Sequence, residues 1–178
     1  MLQIREATIE DCDAIGLITV TASHSAFIGA VPEELLDFSW TPAISAAGWR
    51  ASFSTNTDRG QSFQVAALDN RVIGFVWAKP WADSEGYDSS VQGLYVLPTC
   101  QRQGIGRRLV SHAAADLHRC ERRSLEIGCV KENPSCDFYR HLGGLEIGSR
   151  PVNVDLFETR EILFGWPDLS VLISSNDA

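Results

Sequence analysis

Between the strand-like run Ser89 to Leu97 and a helix-periodic stretch lies Pro98-Thr99-Cys100-Gln101-Arg102-Gln103-Gly104-Ile105-Gly106, and this junction constrains the fold more than any other segment. Pro98 ends the strand, because it lacks the N–H that a ladder needs. Ile105, Leu109, Ala113 and Leu117 follow four apart, so one helix face is apolar and must pack on a core. A strand that turns directly into such a helix builds a crossover onto a parallel neighbour, and Ser124 to Val130 reads as that neighbour. Glycines in the turn permit positive φ and close approach of a ligand to the backbone. The first amides of the helix have no intrahelical acceptor, and the helix dipole favours an anion there. With Arg102, Arg107 and Arg108 adding positive charge, the geometry describes a pyrophosphate site.

Two other anion-binding motifs do not fit. A Walker loop needs Gly-Lys-Ser/Thr after its glycines, whereas this chain has Gly106-Arg107-Arg108. A dinucleotide fingerprint needs a third small residue three positions past Gly106, where Leu109 stands.

The rest of the chain supplies the other layers. Gln3 to Ala7 alternates as a half-buried strand, and Thr8 with Asp11 reads as a loose capping box before a helix carrying Ile15, Ile18 and Ala22. Pro32-Glu33-Glu34-Leu35-Leu36 predicts the start of a second helix, with an apolar connector, Phe27 to Val31, before it. Ser62 to Leu68 and Arg71 to Trp77 flank Asp69-Asn70 as a hairpin. Pro134 to Leu142 reads as a short helix closed by Gly143-Gly144, with strands near Leu145 to Ser149 and Thr159 to Trp166. The order is that of an α/β or α+β three-layer sheet with one parallel crossover at the glycine turn. Residues 1–170 are expected to form one domain, and 171–178 a polar C-terminal tail.

Composition narrows the function classes. A formal net charge of −8 argues against a general nucleic-acid binder and suits a cationic partner such as an amine. Five cysteines, an odd number without a Cys-x-x-Cys pair, and an N-terminus without a signal-peptide pattern point to reduced thiols in a cytoplasm. No apolar run approaches the roughly 20 residues that span a bilayer, so no membrane role is expected. His112 and Asp116 lie one helical turn apart, but without a third convergent ligand no metal is expected.

Gln101-Arg102-Gln103-Gly104-Ile105-Gly106, preceded by Leu94-Tyr95-Val96-Leu97-Pro98, resembles the Gln/Arg-x-x-Gly-x-Gly/Ala signature of the GNAT N-acetyltransferase superfamily. Downstream, Asn133 and Phe138-Tyr139-Arg140-His141-Leu142-Gly143-Gly144 look like its Asn…Phe-Tyr-x-x-x-Gly-Phe block, with Gly144 in place of the aromatic. The resemblance implies a mixed, mostly antiparallel sheet of about seven strands with helices on both faces and a splay between strands 4 and 5. It implies acetyl-CoA as co-substrate, with Tyr95, Val96 and Leu97 along the pantetheine and Gln101, Arg102, Gln103, Gly104, Ile105, Gly106 and Arg107 around the pyrophosphate. Asn133 would reach the pantetheine or the following turn, and Tyr139 would protonate the departing thiolate.

The implied activity is transfer of acetyl to a primary amine of a small molecule or peptide by direct attack in a ternary complex. An amine must lose a proton to attack, and many family members place Glu six residues before the position of Val96. Here that residue is Ser90, which leaves Asp88 and Glu85 as candidate bases, Gln92 to orient a water, and Phe27 with Ile28 on the acceptor wall. The missing acid also admits a different class, a non-catalytic acyl-CoA-binding regulatory module. The resemblance further implies a monomer or a homodimer, the latter pairing through an exposed final strand across a two-fold axis.

Overall fold

A computed structural model describes residues 1–29, 31–32, 34, 40–55, 60–81, 86–154 and 157–173. Seven strands, β1 (Leu2–Glu6), β2 (Ser62–Leu68), β3 (Arg71–Pro80), β4 (Ser89–Val96), β5 (Leu125–Val130), β6 (Leu145–Val154) and β7 (Phe157–Trp166), form one sheet in the order β1-β2-β3-β4-β5-β7-β6. Every neighbouring pair is antiparallel except β4 and β5, which are parallel and joined by the crossover helix. The helices are α1 (Cys12–Phe27), α2 (Pro42–Thr55), α3 (Ile105–Arg119), α4 (Ser135–His141) and α5 (Ser170–Ile173). None of those described is long and apolar enough to cross a membrane.

Successive strand residues point to opposite faces, which places the layers. Phe75 on β3 meets Trp49 of α2 with ring centroids 5.1 Å apart, whereas its neighbour Gly74 lies against Leu109 of α3. So α1 and α2 cover one face, and α3 with α4 covers the other. The period-four stripe predicted for α3 is the buried one: Leu109, Ala113 and Leu117 are each 0% exposed. The Asp69-Asn70 turn has φ of 49° and 66°, the paired positive values of a type I′ hairpin, matching the strand twist. At the start of α1, Asp11 accepts from the Thr8 amide at 2.8 Å and is clamped by both guanidinium nitrogens of Arg5 at 2.7 and 2.8 Å.

One expectation lies largely outside the described residues and two need adjustment. Most of the helix expected from Pro32 falls outside the described residues, and the next described helix begins at Pro42. Val171 to Ile173, assigned to the tail, continue as α5, with Leu172 1% exposed in the core. The final strand is not an edge: β7 inserts between β5 and β6, because the β6–β7 hairpin docks by its second strand, and β6 is left at the border.

The block ending in Gly144 also shows how a missing aromatic is replaced. The indole of Trp166, 1% exposed, lies where a side chain at 144 would project, and a methyl there would stand 2.7 Å from Cζ2. Trp166 donates from Nε1 to the Leu142 carbonyl at 3.0 Å, so this indole is fixed in both position and orientation. Gly144→Phe is therefore expected to destabilise the fold by about 1–3 kcal/mol through overpacking, read as a lower urea midpoint with unchanged m-value.

Candidate active site

The turn before α3 is built to present amides. Arg102 and Gly104 both have positive φ, 61° and 77°, so the chain reverses curvature twice within three residues and makes a concave nest of N–H groups. The helical ladder begins with Arg108 N–H donating to the Gly104 carbonyl at 3.1 Å, which leaves the preceding amides of the first turn without an i−4 acceptor. A Cβ built on Gly104 meets nothing within 4 Å, so the space over the nest is open. Gln101, whose side chain donates from Nε2 to the Val96 carbonyl at 3.0 Å, fastens the turn to the end of β4. Ile105, 3% exposed, anchors the helix start in the core, and Gly106 brings it close to Phe138 of α4. Gln103, Arg102 and Arg107 are exposed around the nest.

The nest stands at the mouth of an opening in the sheet. β4 and β5 pair only through Ser90 with Glu126 and Val91 with Ile127, and then diverge. Leu97 N–H donates to the Ile73 carbonyl at 2.9 Å, and strand alternation therefore turns the main-chain groups of Leu94 and Val96 the other way, toward β5. With the Val96 carbonyl taken by Gln101, the Val96 N–H is the donor that an extended ligand arm would meet.

Tyr139 on α4 is 6% exposed and packed among Phe138, Phe164 and Trp166, with centroids 5.3, 5.5 and 6.5 Å away. Burial pushes its phenol well above the usual range, helped by Cys129 on β5, Tyr95 on β4 and Cys136. Its electrostatic neighbours thus sit on both diverging strands. Tyr95, its ring tilted against Phe75 and its side chain hydrogen-bonded to Ser23 of α1, has a phenol likewise raised by burial. Asn133 accepts from Ser135 N–H at 2.8 Å, capping α4, so any contact to a ligand would come from its NH2.

On the α1–α2 face the geometry is different. Ser90 is 6% exposed, and its hydroxyl accepts from Gln92 Nε2 at 3.2 Å. Asp88 accepts four hydrogen bonds, from Arg123 N–H (2.9 Å), Ser124 N–H (3.1 Å), Ser124 Oγ (3.2 Å) and Ser89 Oγ (3.3 Å). Although burial acts against ionisation, the Arg123, Ser124 and Ser89 donors hold the carboxyl below its ordinary range. Such a carboxylate is a poor base and a good clamp between the starts of β4 and β5. Glu85 lies outside the described residues. Phe27 ends α1 one turn beyond Ser23, half-buried, while Ile28 is exposed and forms an isolated bridge with Val31.

Residues 31–143, more than half of the chain, match the model of the acetyltransferase (GNAT) family. The chain belongs to that family. The acetyltransferase is 26% identical over 173 residues to an uncharacterised N-acetyltransferase, YuaI, of Bacillus subtilis strain 168, covering 97% of this chain and 96% of that one. Its fold is similar to that of yncA from Salmonella typhimurium, a structure determined with acetyl-CoA (TM-score 0.69, 23% identity, 94% of each chain covered). It is also similar to the PaiA N-acetyltransferase of Thermoplasma acidophilum in complex with coenzyme A (TM-score 0.68, 15% identity, covering 94% and 99%).

The acetyltransferase also carries polar groups that the motif reading did not single out. Glu126, buried at 5%, shares a face with its partner Ser90, and the Tyr87 ring lies over the Gly165 backbone beside it. Glu161 of β7 lies with its carboxylate on Gly128. The signal for Glu126 was available, since it interrupts an apolar run. That for Glu161 was not, because its position depends on a contact between strands 33 residues apart in sequence. Among the described residues no group of three or more His, Cys, Asp or Glu is placed to hold a metal.

The Asp88 clamp makes a pH-dependent contribution with a definite sign. A depressed folded pKa stabilises above the unfolded value of about 3.9 and ceases to do so as pH falls through the folded value. Asp88→Asn should therefore be less stable than wild type near pH 7, with the difference in urea midpoint closing as the pH falls below the ordinary aspartate range.

Proposed function

We propose that the protein is an N-acetyltransferase that moves acetyl from acetyl-CoA to a primary amine of a small molecule or peptide, by direct attack while both substrates are bound. The observation that carries this reading is the coincidence of three features on one path. An amide nest lies at the α3 N-terminus, an open seam runs between β4 and β5, and a protonated phenol stands behind that seam. The nest fits the coenzyme's pyrophosphate, since the first-turn amides before Arg108 have no i−4 acceptor and the space above Gly104 is open. The seam fits an extended pantetheine, which can bond along a strand edge as a further strand would.

When bound, acetyl-CoA supplies an activated acyl carbonyl and a thiolate leaving group. The chain's own groups then divide the work. Amides of residues 102–107 and the neighbouring arginines hold the phosphates, while the Gln101 N–H is taken by the Pro98 carbonyl, and the arm is fixed in register along β4. A main-chain N–H turned into the seam, as at Val96, is placed to stabilise negative charge on an acyl oxygen. Tyr139, kept protonated by burial, first donates a hydrogen bond to the leaving sulfur; because a thiolate near pKa 8.5 is less basic than a phenolate, the proton crosses only as Tyr139 is reprotonated from water. Fixing both reactants in one cleft lowers the entropic part of the barrier. The acceptor is assigned to the α1–α2 face, with Gln92, whose side chain bonds Ser90, and Phe27 and Ile28 at the end of α1 as its wall. A net charge of −8 favours a cationic acceptor approaching that face.

Two measurements test the reading. Calorimetric titration with acetyl-CoA should show saturable one-to-one binding competed by free coenzyme A, and Gly104→Glu, which fills the nest with a negative side chain, should abolish it. Unchanged affinity in Gly104→Glu would refute the nest assignment. In an acceptor screen read by mass shift, Tyr139→Phe should lower kcat on the order of 10²-fold while leaving acetyl-CoA affinity intact.

A further inference from the structure

On the acceptor side of the seam, Asp88 is clamped and Ser90 is a neutral hydroxyl, so neither readily takes a proton from an amine. Glu161 sits opposite Val130 in the β5–β7 register, and its side chain leans diagonally over β5 to rest on the bare backbone of Gly128. A methyl group at 128 would stand 2.7 Å from its Cδ and 2.9 Å from Oε1, so the carboxylate occupies space that any other residue there would fill. Gly128 is the first β5 residue past Ile127, the last to pair with β4, and so marks the apex of the opening. By strand alternation it shares a face with Glu126, and hence with Ser90. That is the face opposite Tyr139, which packs on Phe164, the register partner of Ile127.

We propose that Glu161 is the carboxylate that receives the acceptor amine at the apex of the seam and accepts its proton, with Arg150 as its positioning partner. The assignment rests on the N-acetyltransferase reading. Arg150 stands opposite Glu161 on β6 and donates from Nε to its carboxylate, directing the acid inward from the sheet border. Glu161 itself is only 15% exposed, whereas Arg150 is 50% exposed and can move as a ligand ammonium arrives. The other titratable groups around it are the Cys129 thiol and, two residues along the same face of β5, Glu126; on β4 the facing residues Ser90 and Gln92 do not titrate.

The step balances as follows. An ammonium N–H donates to Glu161, and the proton passes to a carboxylate oxygen, freeing the nitrogen lone pair to bond the acyl carbon. As the amide forms, nitrogen sheds a second proton to water and the carbon–sulfur bond breaks. The thiolate takes one proton from Tyr139, which recovers it from water. Glu161 finally releases its proton to solvent.

The experiment measures kcat and kcat/KM across pH for wild type, Glu161→Gln, Arg150→Gln and Arg150→Lys, with spermidine, an alanyl peptide, lysine amide and an amino-sugar as acceptors. Glu161→Gln should lose on the order of 10²-fold near neutral pH, with acetyl-CoA KM unchanged, and recover as the pH approaches the amine's own pKa. Arg150→Gln should lower kcat while leaving the acetyl-CoA KM unchanged, and Arg150→Lys, which keeps a cation beside Glu161, should restore it. A wild-type profile retained by Glu161→Gln would overturn the assignment while leaving the acetyltransferase reading in place. So would an unchanged kcat in Arg150→Gln, which applies even where Glu161→Gln folds poorly. A wild type that binds no acetyl-CoA and acetylates none of the four amines would overturn both.

Discussion

Two register pairs, Ser90 with Glu126 and Val91 with Ile127, hold β4 against β5, and the rest of the molecule is arranged around their brevity. Beyond Val91 the facing strand edges carry amide groups with no ladder partner between them, and such groups must bond to something else. A sheet that opens in this way would be unstable if the opening could propagate. Asp88 prevents that by bridging the start of β4 to the residues that lead into β5, through two main-chain amides and the Ser124 hydroxyl, while Ser89 donates to the Ser124 carbonyl. The seam is thus closed firmly at one end and open at the other, with the α3 nest at its mouth.

This geometry separates chemistry by face. The α3–α4 side supplies the apolar surroundings that keep Tyr139 protonated, and the same surroundings raise the thiols of Cys129 and Cys136, which are inert neighbours rather than nucleophiles. The α1–α2 side is where Ser90, Gln92, Glu126 and Glu161 gather. A leaving group and an attacking amine need opposite treatment, one gaining a proton and one losing it. A sheet pierced by a seam offers each a different environment within a few ångströms.

The sequence announced the part of this that is local. Period-four apolar spacing gave α3, Asp69-Asn70 gave the hairpin, and Gly104 with its arginines gave the nest, because a helix face, a turn and a helix N-terminus are each decided by residues close in the chain. The resemblance of two motifs extended this to the sheet and its splay. Asp88 illustrates the limit: in the sequence it is a loop acid near a strand, and nothing local shows that the amides of Arg123 and Ser124 will meet it. Trp166 likewise reads as a strand aromatic until it is found against Gly144.

By itself, then, the sequence determined the family, the crossover, the glycine turn before α3 and the short helix that carries Tyr139. The tertiary structure decided that β6 rather than β7 borders the sheet, that Asp88, one candidate base, accepts from the Arg123 and Ser124 amides, and that a carboxylate from β7 rests on Gly128 at the apex. The physical reason is range. Turn conformation and helix periodicity follow from neighbours in sequence, whereas the place of a side chain that crosses between strands depends on register, twist and the absence of a Cβ on another strand, which exist only once the sheet has formed.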